Sequence, residues 1–427
     1  MAFINPADKL QVWKYKVEEF TLIFPTSTYD VPIERVLSLS IDNDYEKHLF
    51  PIIRISMGLE PSVYKEIITN KSDVKLKIRF QKFYTELGKE NKSLMRDYFN
   101  TTFDLLIDDE FLDQDYNVRK TEESVTGESA DDKNDLRMIE KTEFYLYKMN
   151  TINGLRTMVN AVLNNVTMIG AISYLGSIAK ITNFLTSPLE NNTVYRELII
   201  PPQTALSALQ YLDSEYGFYK SGSTIFFGLD RSYILNYKGG CTAYQKDEIQ
   251  ETCILIPERG EEYGALELGL EKLNEKIKRN YIVVRSEHVF PNSENVSRDI
   301  IDGTNVVIVN TNQNTITKTN TNAGKSSSVI NTNATNPWIG ETYSAQVAAS
   351  SKVLTLSCGD FDVDAITPNK KFSIIFEDTI NGQNYKGIYI LSKSILRFTR
   401  NGSDFELNAS LTFKRVNTAT DITIESL

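Results

Sequence analysis

The stretch IPPQTALSALQYLDSEYGFYKSGSTIFFGLDRSYIL, residues 200–235, decides how the chain is read. Pro201 and Pro202 fix an extended approach, because proline locks its own φ and pushes the preceding residue out of the helical region. From Gln203 the apolar residues Ala205, Leu206, Leu209 and Leu212 share one face at helical spacing, which predicts a helix of about three turns. Gly217 is placed to stop it. Phe218-Tyr219, Ser221–Ser223, Ile225–Phe227 and Tyr233–Leu235 then read as strands separated by Gly- and Asp-containing turns. The result is a small α/β module with no catalytic residue type, a composition that points to assembly rather than chemistry.

Those residues resemble the middle domain of baseplate hub proteins from contractile-tailed bacteriophages and related injection particles. The resemblance covers this module and, more loosely, the β segments at both ends of the chain. It leaves residues 108–140 and 290–345 unaccounted for. It implies a virion protein made in the host cytoplasm and placed in the tail baseplate. It also implies a homotrimer in which each subunit carries two tube-like barrels, so that three chains make a pseudo-sixfold ring. The implied partners are the tail tube protein, the central spike protein, the tape-measure protein and the baseplate wedge proteins. DNA is expected only in passage through the lumen, during genome ejection.

The 427 residues exceed one ordinary core, so two to four domains are expected. A formal charge of −10 and a pI near 5.1 argue against a nucleic-acid groove, which needs clustered Lys and Arg. Cys241, Cys253 and Cys358 lack CxxC spacing and are read as reduced core or interface thiols. The N-terminus lacks the basic and apolar regions of a secretory signal. The Asn-x-Ser/Thr triplets at Asn191 and Asn401 therefore carry little meaning. Thr157 to Ala179 holds no charge and raises the question of a membrane span. Asn160, Asn164 and Asn165 interrupt it, so the expectation is helices at Ile152–Leu163 and Met168–Ile178, packed in a domain or against another subunit, with no stable membrane insertion.

The predicted fold is β-rich and multidomain (α+β), with two tube-like antiparallel β-barrels flanking a helical and α/β middle. Residues 1–107 form the N-terminal barrel, from the alternation of Trp13, Tyr15 and Val17, of Leu37, Leu39 and Ile41, and of Val74, Leu76, Ile78 and Phe80. A short helix is placed around Tyr45–His48. Residues 108–140 are acidic and too poor in apolar side chains for a core, an exposed loop; Asp131 to Asp135 lacks the Gly and terminal Glu of a calcium loop. Residues 141–200 are the helical segment, 201–260 the α/β module and 261–303 a charged connector with helical character. Residues 304–336, dominated by Asn and Thr, form a mobile or assembly-ordered loop. Residues 337–427 form the C-terminal barrel, with type I′ hairpin signals at Asn381-Gly382 and Asn401-Gly402 and strict alternation of Phe405, Leu407, Ala409, Leu411 and Phe413.

No catalytic, cofactor-binding or metal-binding residue is assigned. Gly324-Lys325-Ser326 ends like a phosphate loop, but Thr319 stands where its first glycine belongs. His48 and His288 sit beside Glu46 and Glu287 without metal or Cys-His spacing. The alternatives to a structural hub are another baseplate or tube-end protein, or a tail-associated peptidoglycan hydrolase working through a carboxylate pair that sequence does not single out.

Overall fold

The computed structural model describes residues 12–70, 73–86, 89–90, 95–106, 140–181, 183–229, 231–237, 251–256, 280–283, 289–291, 304–310, 315–319, 326–332, 336–339, 342, 353–359, 361–376 and 387–415. Its first part contains β1 (Val12–Ile23), β2 (Thr28–Asp30), β3 (Val36–Asp44), β4 (Ile52–Leu59), α1 (Pro61–Thr69), β5 (Lys75–Glu86), β6 (Lys89–Glu90), β7 (Arg96–Leu106) and β8 (Glu140–Lys148). Next come α2 (Met149–Arg156), β9 (Met158–Thr167), α3 (Met168–Ile178), β10 (Phe184–Thr186), β11 (Val194–Thr204), α4 (Ala205–Tyr216), β12 (Ser223–Phe227) and β13 (Ser232–Asn236). The last part runs through β14 (Glu251–Ile256), β15 (Asn280–Val283), β16 (Val289–Pro291), β17 (Thr304–Asn310), β18 (Thr315–Thr319), β19 (Ser326–Thr332), β20 (Val353–Gly359), β21 (Lys371–Phe376), β22 (Gly387–Asn401) and β23 (Asp404–Arg415).

Eight strands close a barrel in the order β22-β3-β4-β8-β7-β5-β1-β23, the ring being completed by the β22/β23 hairpin. Closure leaves the ring without an exposed edge. The expected β-rich, α+β architecture with a tube-like barrel is therefore present. Its strands, however, are not sorted by chain end: six come from the N-terminal part and two from the C-terminal hairpin. The same hairpin also carries a second run, β15-β14-β21 on the β22 side and β20-β16 on the β23 side. β14, expected in the α/β module, belongs to this run and pairs with β21.

Aromatic packing explains why the two chain ends share a ring. The Tyr15 ring lies 5.8 Å from Phe80 and 4.8 Å from Phe398, and Phe80 in turn lies 5.0 Å from Phe398 and 5.8 Å from Phe405. Edge-on and offset aromatic contacts of this kind add about 0.5–1.5 kcal/mol each beyond area burial. All four residues are essentially inaccessible to solvent, so the barrel is filled. Deleting residues 387–415 should therefore unfold the N-terminal strands too, with loss of the near-ultraviolet aromatic dichroism of the whole barrel. Retention of that signal in the truncated chain would separate the two ends after all.

Bulges keep the alternation in phase. In β1 the buried residues are Tyr15 and Val17, then Phe20 and Leu22, with a register shift between Val17 and Glu19. In β22 Tyr389 and Leu391 point inward, then Leu396 and Phe398, with the shift falling at Ser392. The extra residue moves the next side chains to the other face. β23 needs no such device, since Phe405, Leu407, Ala409, Leu411 and Phe413 alternate inward without a break. The turn between them pairs Asn401 with Asp404, so its central residues are Gly402 and Ser403. Only Gly402 has positive φ, at 64°, which is the type II′ pattern rather than type I′.

The middle of the chain has its own core. Met168, Ile172 and Leu175 of α3 pack with Leu206, Leu209 and Leu212 of α4 and with Leu198 and Ile200 of β11. β12 and β13 stand between this core and the barrel: Ile225, Phe227 and Ile234 join the middle core, while Phe226, Tyr233 and Leu235 join the barrel core. A strand buried on both faces reads as a continuous apolar run, which is why IFF and YIL lack polar alternation. Tyr45 meets Phe226 across this junction at 4.6 Å.

Several local expectations change. α3 is a helix over the expected residues, but Ile152–Leu163 is not one helix: α2 ends at Arg156 and Met158 opens strand β9. Pairing with β11 overrides the helical pattern of this β-branched, Asn-rich stretch. Tyr45–His48 is a turn held by Asp44, whose carboxylate accepts from the backbone of Glu46 and Lys47. Phe218-Tyr219 is an irregular bend rather than a strand. Within residues 304–336, expected as a loop, β18-β17-β19 form a separate three-stranded sheet. The β-branched residues between the Asn and Thr account for that propensity. The acidic residues 108–139 and the hairpin signal at Asn381 lie outside the described residues, as does the connector apart from β15 and β16.

Candidate functional site

The surface that departs most from an ordinary soluble face is the two-stranded ribbon of β9 and β11. Its inner side, Val159, Leu198 and Ile200, is buried against α3 and α4. Its outer side presents Met158, Val162 and Ile199, respectively 64, 57 and 54% exposed, and Val162 and Ile199 are direct cross-strand partners. Val194, which pairs with Thr167 at the end of the ribbon, and Ile169 of α3 are also more than half exposed. Clustered apolar side chains in water mark a contact surface. In the sequence, the lack of Lys, Arg, Asp and Glu from Thr157 to Ala179 is the signal that allows such a surface as one reading of the segment.

Local capping sets the ribbon's geometry. Thr167 accepts from Gly170 N at 3.3 Å to start α3, and Thr204 accepts from Ser207 N at 3.3 Å to start α4. Each ribbon strand thus ends on a helix cap. At the far end of α4, Gly217 has φ 73°, and a Cβ there would lie 2.7 Å from the Asn336 amide. Asn191, buried, donates to the Tyr216 and Gly217 carbonyls at 3.0 and 2.8 Å, so its amide is engaged in the core rather than free for modification.

Asp213 fixes the turn after α4, its carboxylate accepting from Phe218 N at 3.1 Å and from the Ser223 hydroxyl at 2.6 Å. Burial pushes its pKa above the usual carboxylate range. Folding thus favours the protonated form, so stability is lost as pH rises from the ordinary carboxylate range through the raised pKa, above which the folded state bears the full cost of the charge. Asp213→Asn keeps the acceptor oxygen and removes the charge. We expect the variant's melting temperature to exceed the parent's at neutral pH, with the gap closing as pH falls from the raised value to the ordinary carboxylate range. A gap independent of pH would show that the charge is not the cause.

A second constellation joins the chain ends. Between β20 and β21 the segment 361–370 lies against the barrel, with Phe361, Val363 and Ile366 buried. The Tyr15 hydroxyl donates to the Phe361 carbonyl at 2.8 Å and accepts from Val363 N at 3.2 Å. Lys82, its side chain 5% exposed, reaches Asp362 and Asp364 at 2.5 Å each. Its ammonium also lies 5.4 Å from the Trp13 ring centre. This is an ionic clasp, and nothing about it suggests a reacting group.

Among the described residues no group of His, Cys, Asp and Glu is arranged to hold a metal ion, and no helix is long and apolar enough to cross a membrane. His48 is exposed in its turn, and His288 lies outside the described residues. Cys358 is buried and free, and burial pushes its thiol up to about 12, which makes it inert. Cys241 and the side chain of Cys253 lie outside the described residues, as do Gly324 and Lys325.

No curated protein matches the chain. Among solved structures, the tail protein from Neisseria meningitidis MC58 superposes with a TM-score of 0.51 at 10% identity, covering 94% of this chain and 97% of that one. The lidded Francisella PdpA-VgrG complex gives a TM-score of 0.50 at 7% identity, covering 97% of this chain and 54% of that chain. The 43 kDa tail protein of prophage MuSo2 from Shewanella oneidensis gives 0.49 at 8% identity, covering 92% and 96%. At such identities the likeness is one of fold. A family model, that of the bacteriophage PBS1 gene 109 protein, matches residues 14–416, nearly the whole chain and every strand of the closed barrel. The hub resemblance carried by residues 200–235 and this match agree on a phage protein with a tail-protein fold: the chain belongs to the bacteriophage PBS1 gene 109 protein family.

Proposed function

We propose that the protein is a structural component of the phage tail baseplate, and specifically the hub that joins the tail tube to the central spike of a contractile tail. The observation that carries this reading is the filled eight-stranded barrel whose closing hairpin also bears a second strand run. A solid barrel conducts nothing itself, but it makes a rigid wall segment. A hairpin common to two strand runs would let each subunit contribute twice to a ring, the means by which a threefold assembly meets a sixfold tube. The hub works as a homotrimer within the virion, contacts the tape-measure protein above and the wedge proteins around it, and transmits attachment into contraction and genome delivery. It is an adaptor rather than an enzyme.

Cryo-electron microscopy of the tail tip tests the assignment. Three copies between tube and spike are expected, whereas one copy, six copies or a peripheral position would overturn it. Purified protein should leave the turbidity of a peptidoglycan suspension unchanged; clearing would establish the hydrolase alternative.

A further inference from the structure

Asn-Gly is the pair in which a backbone amide most easily reaches a side-chain carboxamide, because glycine has no Cβ to shield its nitrogen and asparagine is thermolabile. The chain holds three such pairs, at Asn153, Asn381 and Asn401. The second lies outside the described residues, and the fold treats the other two in opposite ways. Gly154 is the sixth residue of α2, so its N–H is committed to the helix ladder, and a Cβ there would lie 2.7 Å from the Leu206 side chain. Gly402 stands at the tip of the β22/β23 hairpin, where Asn401, Gly402 and Ser403 are all exposed. Its N–H falls outside the ladder, since the pairing of Asn401 with Asp404 leaves the two residues between them unpaired. A Cβ built on Gly402 would meet nothing within 4 Å, so there is room for a ring to form.

We infer that Asn401 is a self-modification site, converting spontaneously to aspartate and isoaspartate in the folded protein. The Gly402 nitrogen gives up its proton to water and attacks Asn401 Cγ. The Cγ–Nδ2 bond breaks, and the side-chain nitrogen takes up a proton and leaves as ammonia. Water then opens the cyclic imide: addition at Cγ gives aspartate, and addition at the Asn401 main-chain carbonyl gives isoaspartate, in which the chain runs through the side chain. Water is the one co-reactant, and nothing is oxidised or reduced. The Arg400 guanidinium, whose Nε donates to the Gly402 carbonyl at 2.8 Å, offsets the Glu406 carboxylate as the nitrogen loses its proton. Either product sets a carboxylate where the Asn401 amide now donates to Glu406 at 2.6 Å. Isoaspartate also adds a carbon to the main chain, at the turn joining the two strands that complete the barrel.

The test ages the full-length protein in mildly alkaline buffer for weeks and maps its chymotryptic peptides by mass spectrometry. Digestion in heavy-oxygen water marks any conversion that arises during digestion itself. Both products are expected at residue 401, the isoaspartate accepting a methyl group from an isoaspartyl methyltransferase. Conversion at Asn401 should outpace that at Asn153 by roughly tenfold or more, the factor supplied by first breaking the helix hydrogen bond of Gly154. In protein unfolded by guanidinium chloride the two rates should converge. An Asn401 that stays intact while the unfolded chain converts, aspartate without isoaspartate, or Asn153 converting as fast as Asn401 in the folded protein would each overturn the inference.

Discussion

Leu411→Asp is expected to abolish folding of the barrel, whereas Asn408→Asp is expected to leave the melting temperature within a few degrees of the parent. Leu411 is completely buried, between Leu356 of β20 and Ser394 of β22, while Asn408, three residues away on the same strand, is exposed. A carboxylate forced into the Leu411 position has no partner and costs several kcal/mol, a large part of the roughly 5–15 kcal/mol by which a whole domain is stable. At position 408 the new charge stays in water, opposite Arg397 in the β22 register. Circular dichroism melts of the two variants decide the matter, and equal behaviour would mean that the register of the closing hairpin is other than described.

The second large effect is asymmetric. Removing the two acids of the clasp, by Asp362→Asn with Asp364→Asn, is expected to destabilise the protein by about 3–5 kcal/mol, more than Lys82→Met does. The reason is which charge is left behind. Lys82 is 5% exposed, so without its carboxylates it is a buried cation with no compensating charge. Asp362 and Asp364 are 26 and 53% exposed, so without the lysine they keep more of their water than the ammonium does. Urea melts of the double variant and of Lys82→Met measure the two costs directly. A larger loss for the lysine variant would show that its packing against Trp13, rather than its charge, secures segment 361–370.

Much of this architecture was legible residue by residue. The strict alternation at Phe405–Phe413 and at Val74–Phe80 names the inward face of both strands, because side chains on a pleat alternate whatever the strand pairs with. Ala205, Leu206, Leu209 and Leu212 likewise name the buried face of α4, and Gly217 its end. Where two patterns were available, local residues did not choose between them. Met158–Leu163 has apolar spacing compatible with helix or strand, and only the partner β11 makes it a strand. The Asn/Thr-rich residues had strand propensity but no visible partner, and β17 supplies one for both β18 and β19.

The exposed ribbon was half legible. Missing charge from Thr157 to Ala179 marks the segment as unusual in sequence, but a buried helix and an exposed strand lack charge for different reasons. Solvent exposure of Val162 and Ile199 settles which applies, and exposure is a property of everything packed nearby. The clasp was wholly invisible, because Lys82 and Asp362 are separated by 280 residues.

The sequence by itself determined local periodicities: which residues of β5 and β23 face inward, and where α3 and α4 lie. Those follow from backbone geometry and side-chain chemistry within a few residues. Only the tertiary structure decided that strands from opposite ends of the chain close one barrel, through Tyr15 and Phe80 meeting Phe398 and Phe405. Period-two patterning says that a strand has a buried face but not which strand lies beside it. Partner choice is made by long-range packing, register and bulges that no local stretch encodes.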